Sequence, residues 1–219
     1  MTSGLQIFNA NGEIQIDSNL VNFAFIQKGS VTIPAGGYIN SFPAAQIVVN
    51  GVTPILCLRP LYSFAGVVNT KIINGQYSYL INGTGGETFN WYLFDKNPMT
   101  GNNNAGIQVF NQQGEMTFNS DRHPMRMAAI GTMPYGRLCV TPAYGSLTAQ
   151  KAGEYAFCLS SVRVDSERGP TTRAFMEGGR VTSDGMVGGA IQYMSVGGDI
   201  SLGESYFGSQ ALLVNVAGL

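Results

Sequence analysis

Ionisable side chains are scarce: Asp, Glu, Lys and Arg make up 11% of the chain, against roughly 25% in an ordinary soluble domain. The 12 basic and 13 acidic residues leave a formal charge of -1, which removes the electrostatic case for nucleic acid or an anionic membrane as partner. One His, one Trp and 3 Cys leave most nucleophilic, general-base and metal chemistry without its reagents. No run of about 18 apolar residues is present, so no spanning helix is expected. The nearest candidate, Ala44 to Leu58, is broken by Gln46, Asn50, Gly51 and Pro54. The opening MTSGLQIFNANGE lacks the basic start and apolar core of a secretory signal. A chain made and folded in a reducing cytosol is therefore expected, with the sequon at Asn82-Gly83-Thr84 unglycosylated. Cys57, Cys139 and Cys158 are odd in number, widely spaced and set in apolar runs. They read as free, buried thiols acting as small hydrophobes.

Bulk and turns are plentiful. With 219 residues, 44% of them hydrophobic, the chain can bury roughly 70% of its unfolded surface. The longest segments free of Gly and Pro, 13–28 and 154–168, alternate rather than repeat at 3.6: Val21, Phe23 and Phe25 share one side, as do Tyr155, Phe157 and Leu159. Alternation by two marks a half-buried strand. Asn-Gly steps beginning at Asn11, Asn50, Asn74 and Asn82 read as turns. Short strands at this spacing predict an all-β sandwich or barrel, with a short helix expected at most near Leu147 to Gly153. The apolar end Ala211 to Val216 is expected to pair in a sheet or dock on a partner.

The chain also repeats itself. GLQIFNANGEIQIDS at 4–18 and GIQVFNQQGEMTFNS at 106–120 align without a gap and are identical at seven of fifteen positions. Unrelated segments would agree at about one. A weaker third copy, AIQYMSVGGDISLGE at 190–204, keeps Ile191, Gln192 and Gly198. Each copy reads as a hairpin closed by a glycine (Gly12, Gly114, Gly198) with an acidic residue immediately after. Tyr77 to Ile81 and Tyr155 to Leu159 echo each other as Tyr-x-aromatic-x-aliphatic. The order hairpin, body, hairpin, body, hairpin points to a duplication. It predicts two tandem β-sandwich-like modules: 1–105 with hairpin 4–18, and 106–219 with hairpins 106–120 and 190–204.

Gly4, Leu5, Gln6, Phe8, Asn9, Gly12, Asp17 and Ser18, followed by the Gly-Ser-Val-Thr-Ile-Pro-Ala-Gly stretch at 29–36, form a pattern that resembles the N-terminal signature of small siphophage tail proteins encoded near the central tail fibre. The resemblance covers about thirty residues, with its echo at 106–120. It implies a non-enzymatic virion protein of the tail tip or tail-fibre apparatus, assembled with other tail subunits. The second internal copy is a departure from the family pattern.

Chemistry-bearing groups read mostly as structure. His123 sits in the polar turn SDRHPMR with no nucleophile elbow anywhere in the chain, so it reads as an ordinary surface or hydrogen-bonded residue. No metal-ligand spacing is present. Glu87, Asp95 and Glu177 are the nominal carboxylates for hydrolysing a glycoside. Gly runs at 83–86 and 185–189 read as hairpin tips or linkers rather than phosphate cradles. No catalytic set and no cofactor is expected. The richest aromatic segment is Phe89 to Asp95. As a strand it turns Phe89, Trp91 and Leu93 one way and Asn90, Tyr92 and Phe94 the other. Asn90, Trp91, Tyr92 and Phe94 are the candidate interface or ligand residues, beside the plainer reading of a strand buried on both faces. The charged segment Arg163 to Arg168, running on to Arg173, reads as a solvated loop, with a salt-bridged contact to a neighbouring subunit as the alternative.

Low charge suits a surface meant to be covered, since unpaired ions are costly to bury. The favoured expectation is a structural tail protein, oligomeric in its assembly and located in the virion tail. A receptor- or glycan-binding adhesin module touching the host surface is the alternative, and a tail-spike hydrolase stands third.

Overall fold

A computed structural model describes residues 5–8, 14–17, 21–35, 38–39, 42–96, 106–133, 143–167, 173–194 and 209–219. The expected all-β fold is present, and no helix occurs among these residues. The first half runs through β1 (Gln6–Phe8), β2 (Ile14–Asp17), β3 (Phe23–Thr32), β4 (Tyr38–Ile39), β5 (Phe42–Val49), β6 (Ile55–Arg59), β7 (Ala65–Ile73), β8 (Gln76–Gly83) and β9 (Thr88–Lys96). The second runs through β10 (Gln108–Phe110), β11 (Met116–Asn119), β12 (Arg126–Thr132), β13 (Ala143–Thr148), β14 (Tyr155–Leu159), β15 (Val164–Glu167), β16 (Arg173–Thr182), β17 (Gly185–Met194) and β18 (Gln210–Asn215).

Two large antiparallel sheets pack face to face. One has the order β12-β18-β14-β6-β9-β3; the other is β13-β17-β16-β7-β8-β5-β4, with β15 added beside β16. Leaving aside β4 and β15 and counting the remaining strands by their place in each half, both orders read the same from either end. β3-β9-β6 answers β12-β18-β14, and β5-β8-β7 answers β13-β17-β16. Each half thus supplies one block of each sheet, and the blocks meet edge to edge. The two seams are antiparallel, through single register pairs at Phe157↔Leu58 and Gly179↔Ala65. This is the strand order of a two-fold arrangement.

The repeated hairpins carry the same register. Gln6↔Asp17, Ile7↔Ile16 and Phe8↔Ile14 match Gln108↔Asn119, Val109↔Phe118 and Phe110↔Met116, with an irregularity at the same step. The third copy fares differently. Its first arm is the end of β17, paired with β16, and its turn and return lie outside the described residues. The echo of Tyr77 to Ile81 in Tyr155 to Leu159 also joins non-equivalent strands, β8 in one sheet and β14 in the other. By position, β14 answers β6, so PILCL at 54–58 is the counterpart of YAFCL at 155–159.

One core crosses the boundary between the halves. Leu56, Ile81 and Leu93 from the first pack with Phe157, Met186 and Leu213 from the second. A second cluster lies on the other face of the six-stranded sheet: Cys57, Tyr92, Phe94, Ala156, Val214 and Val216, with Phe25, Met125 and Leu219 against it. The chain end turns back over this cluster, where Lys28 Nζ donates to the Leu219 carbonyl and Arg126 to that of Ala217. The apolar end expected to need a partner strand is β18, held between β12 and β14.

Several local expectations are corrected. Asn74-Gly75 is the expected two-residue turn, with φ of 52° and 78°. Asn82-Gly83 is not a turn but the end of β8, because Gly83 must pass close to Ile33 and Ala65. Residues 185–189 are not a linker but part of β17, where an added Cβ would strike the Phe64 ring from Gly189. Near Leu147 the chain is strand rather than helix, with Leu147 opposite Met186. Arg163 is no solvated loop residue: it is 2% exposed and paired with fully buried Glu177.

Candidate functional site

The signature hairpin shows what its identical residues do. In the second copy Asn111 Oδ1 accepts from the backbone N–H groups of Gln113 and Glu115, and Asn111 Nδ2 donates to the Glu115 carboxylate at 2.8 Å. Gly114 takes the positive φ of 78° that lets the return strand begin. At the open end Ser120 Oγ accepts from Ile107 N–H at 2.8 Å, and Gly106, at φ 131°, leaves Ser120 the room a side chain would fill. Five of the seven identical positions therefore hold residues whose chemistry closes the hairpin. The corresponding turn of the first copy lies outside the described residues. The second hairpin docks on the first half, with Asn22 N–H donating to the Thr117 carbonyl and Phe25 N–H to that of His123. His123 itself is exposed.

The three nominal carboxylates are structural acceptors. Asp95, 4% exposed, takes the N–H groups of Val52 (2.6 Å), Thr53 (2.8 Å) and Lys96 (2.7 Å), and so fastens the loop between β5 and β6. Glu87 accepts from Ser63 N–H and from its hydroxyl. Glu177 is held by Arg163 at 2.7 Å. Glu87 and Asp95 stand eight residues apart along one extended run, about 26 Å, well beyond the roughly 5–9.5 Å that a glycosidase pair needs. Among the described residues no group of three His, Cys, Asp or Glu is placed to hold a metal ion.

The aromatic strand β9 divides its side chains as its alternation requires. Phe89, Trp91 and Leu93 belong to the main core; Tyr92 and Phe94 belong to the second cluster. Of the four candidate ligand residues, Tyr92 and Phe94 are buried, Asn90 is exposed, and Trp91 is half-buried on the opposite face. They are not brought together on one open surface. Burial raises the Tyr92 phenol, against the Arg59 charge, which lowers it. In the same cluster Cys57 and Cys158 are free thiols on the adjoining seam strands. Burial pushes Cys57 well up, and Cys158 to about 11. Neither is a nucleophile at neutral pH. Cys139 lies outside the described residues.

A further feature lies at the seam. A cleft of about 490 Å³ is lined by Leu56, Val67, Asn69, Thr70, Tyr79 and the segment Cys158 to Val162. The two-fold arrangement is broken beside it. Gly178 and Gly179 let β16 press against Ala65 and Phe157. Counting back from the turns after Thr182 and Ile73, their counterparts in β7 are Asn69 and Thr70, which have side chains. Sequence reasoning missed this cleft; the Gly-Gly against Asn-Thr difference is a trace of it in the chain. No protein-family model matches the chain, and neither a curated protein nor a solved structure matches it.

Proposed function

We propose that this protein is a structural component of a bacteriophage virion, in the tail tip or tail-fibre apparatus, where it assembles with other tail subunits. The observation that carries this reading is the tail-protein-like hairpin, present twice in one register. In the second copy, Gly106, Asn111, Gly114, Glu115 and Ser120 serve to close the hairpin. Low charge supports it, as do carboxylates committed to backbone and ion-pair contacts. Exposed Leu5, Ile107 and Phe110 give the hairpins apolar surface for a neighbouring subunit.

The test is to look for the chain in purified virions. Mass spectrometry should find it in stoichiometric amount, and gold-labelled antibody should mark the distal end of the tail. Virions without the chain would refute the proposal. Saturable binding of the isolated protein to host lipopolysaccharide or an outer-membrane protein would transfer the assignment to the adhesin alternative.

A further inference from the structure

The eight-stranded sheet forks at its middle. β7 and β16 touch at Ala65↔Gly179 and then part, because β15 takes the β16 edge over Arg173–Met176. The remainder of β7 pairs only with β8 among the described residues. Ile73 and Gln76 flank the two-residue turn, and in such a turn the flanking pair exchanges both backbone bonds. Alternation then sends the N–H and C=O of Lys71 to β8, and those of Thr70 and Ile72 away from it. Among the described residues nothing accepts or donates there.

The side chains at this edge are short of a cover as well. In register, Ile72 shares a row with Val49 and Tyr77, and Thr70 with Ile47 and Tyr79. Both rows face the core, since Val49 and Ile47 are buried in it. Yet Ile72 is 65% exposed, and the cleft opens beside Thr70. On the opposite face Lys71 is exposed, and β5, β7 and β8 carry no acidic residue. Unpaired backbone, an uncovered core-facing isoleucine and a lone cation describe one kind of occupant.

We propose that the β7 edge is a strand acceptor. An extended segment of a partner protein, alternating apolar with acidic residues, adds to Thr70–Ile72. Its apolar side chains cover Ile72 and fill the cleft, and its acidic side chains lie beside Lys71. β15, with the sequence VDSE, is the chain's own strand laid along the β16 edge of the same fork. Strand addition draws affinity from main-chain bonds and specificity from alternate side chains. The inference does not depend on a tail function and is tested on the free protein.

The probe is a synthetic octapeptide alternating valine with glutamate, titrated into the full chain and followed by backbone amide NMR. Saturable shifts confined to 67–73 and 158–162 are expected. Thr70→Pro removes an outward N–H that an edge strand can do without, and should weaken binding roughly 5- to 10-fold. Lys71→Glu should weaken it while leaving the unbound spectrum in place. If the proline variant fails to fold, the same peptide N-methylated at alternate residues must lose its binding to the unaltered protein. No saturable shift at millimolar peptide, or binding that survives N-methylation, overturns the proposal. A concentration-dependent dimer in sedimentation that Thr70→Pro abolishes would overturn it too, by giving the edge to a second copy.

Discussion

Gly179→Ala tests the joining of the halves most directly. Gly179 lies in β16 where the seam closes on Ala65, and its backbone is ordinary for a side chain, with no positive φ. The cost of alanine there is therefore steric. An added Cβ would stand 2.5 Å from Phe157 Cζ and 2.8 Å from Met186 Cε. Phe157 and Met186 are each 1% exposed, so the ring can yield only by disturbing the shared core. Overpacking of this kind costs about 1–3 kcal/mol, offset by about 0.4–1 kcal/mol from the less flexible unfolded chain. A net loss of up to about 2.6 kcal/mol remains, at about 2–4 °C of Tm per kcal/mol for a chain of this size. Urea unfolding and calorimetry would measure it. The decisive form is a double-mutant cycle with Phe157→Leu, which frees the space the new methyl needs. The double variant should be no less stable than Phe157→Leu alone, giving a coupling of about 1 kcal/mol. Strict additivity would mean that the seam is not packed as described.

Three further outcomes follow from buried groups. Asp95→Ala leaves the N–H groups of Val52, Thr53 and Lys96 without their acceptor and should cost about 2–4 kcal/mol in urea; a loss below 1 kcal/mol would deny Asp95 its structural role. Glu177→Gln strands the Arg163 charge inside the protein and should cost about 3–5 kcal/mol, whereas replacing both partners with apolar residues should cost less. That difference is read from the same unfolding curves. The Cys158 thiol is pushed up from 9.0 to about 11 by burial, so the fold favours its protonated form. Its contribution is whole below pH 9 and is lost as the pH climbs toward 11. Unfolding at pH 8 and pH 10 should differ by on the order of 1 kcal/mol from this group, and Cys158→Ala should flatten that slope.

Alternation and turns were legible without coordinates. Phe89, Trp91 and Leu93 against Tyr92 and Phe94 divide between two cores as their spacing requires, and Asn74-Gly75 turns where a tight hairpin was expected. The hairpin repeat was legible because its identical residues make contacts within fifteen residues of one another. The role of the glycines at 83 and 185–189 was not, since a glycine that bends the chain and one that admits a neighbour look alike in sequence. Nor was the burial of Arg163, whose partner Glu177 comes from the neighbouring strand. In β9, Tyr92 and Phe94 are buried whereas Asn90 is exposed.

Local chemistry along the chain thus determined the strands and the signature hairpin. Tertiary structure alone decided that the halves share both sheets and both apolar clusters, and that β15 takes the edge β7 leaves behind. Period and turn type depend on neighbours a few residues away. Which edges meet depends on whether side chains a hundred residues apart, such as Gly179 and Phe157, leave each other room.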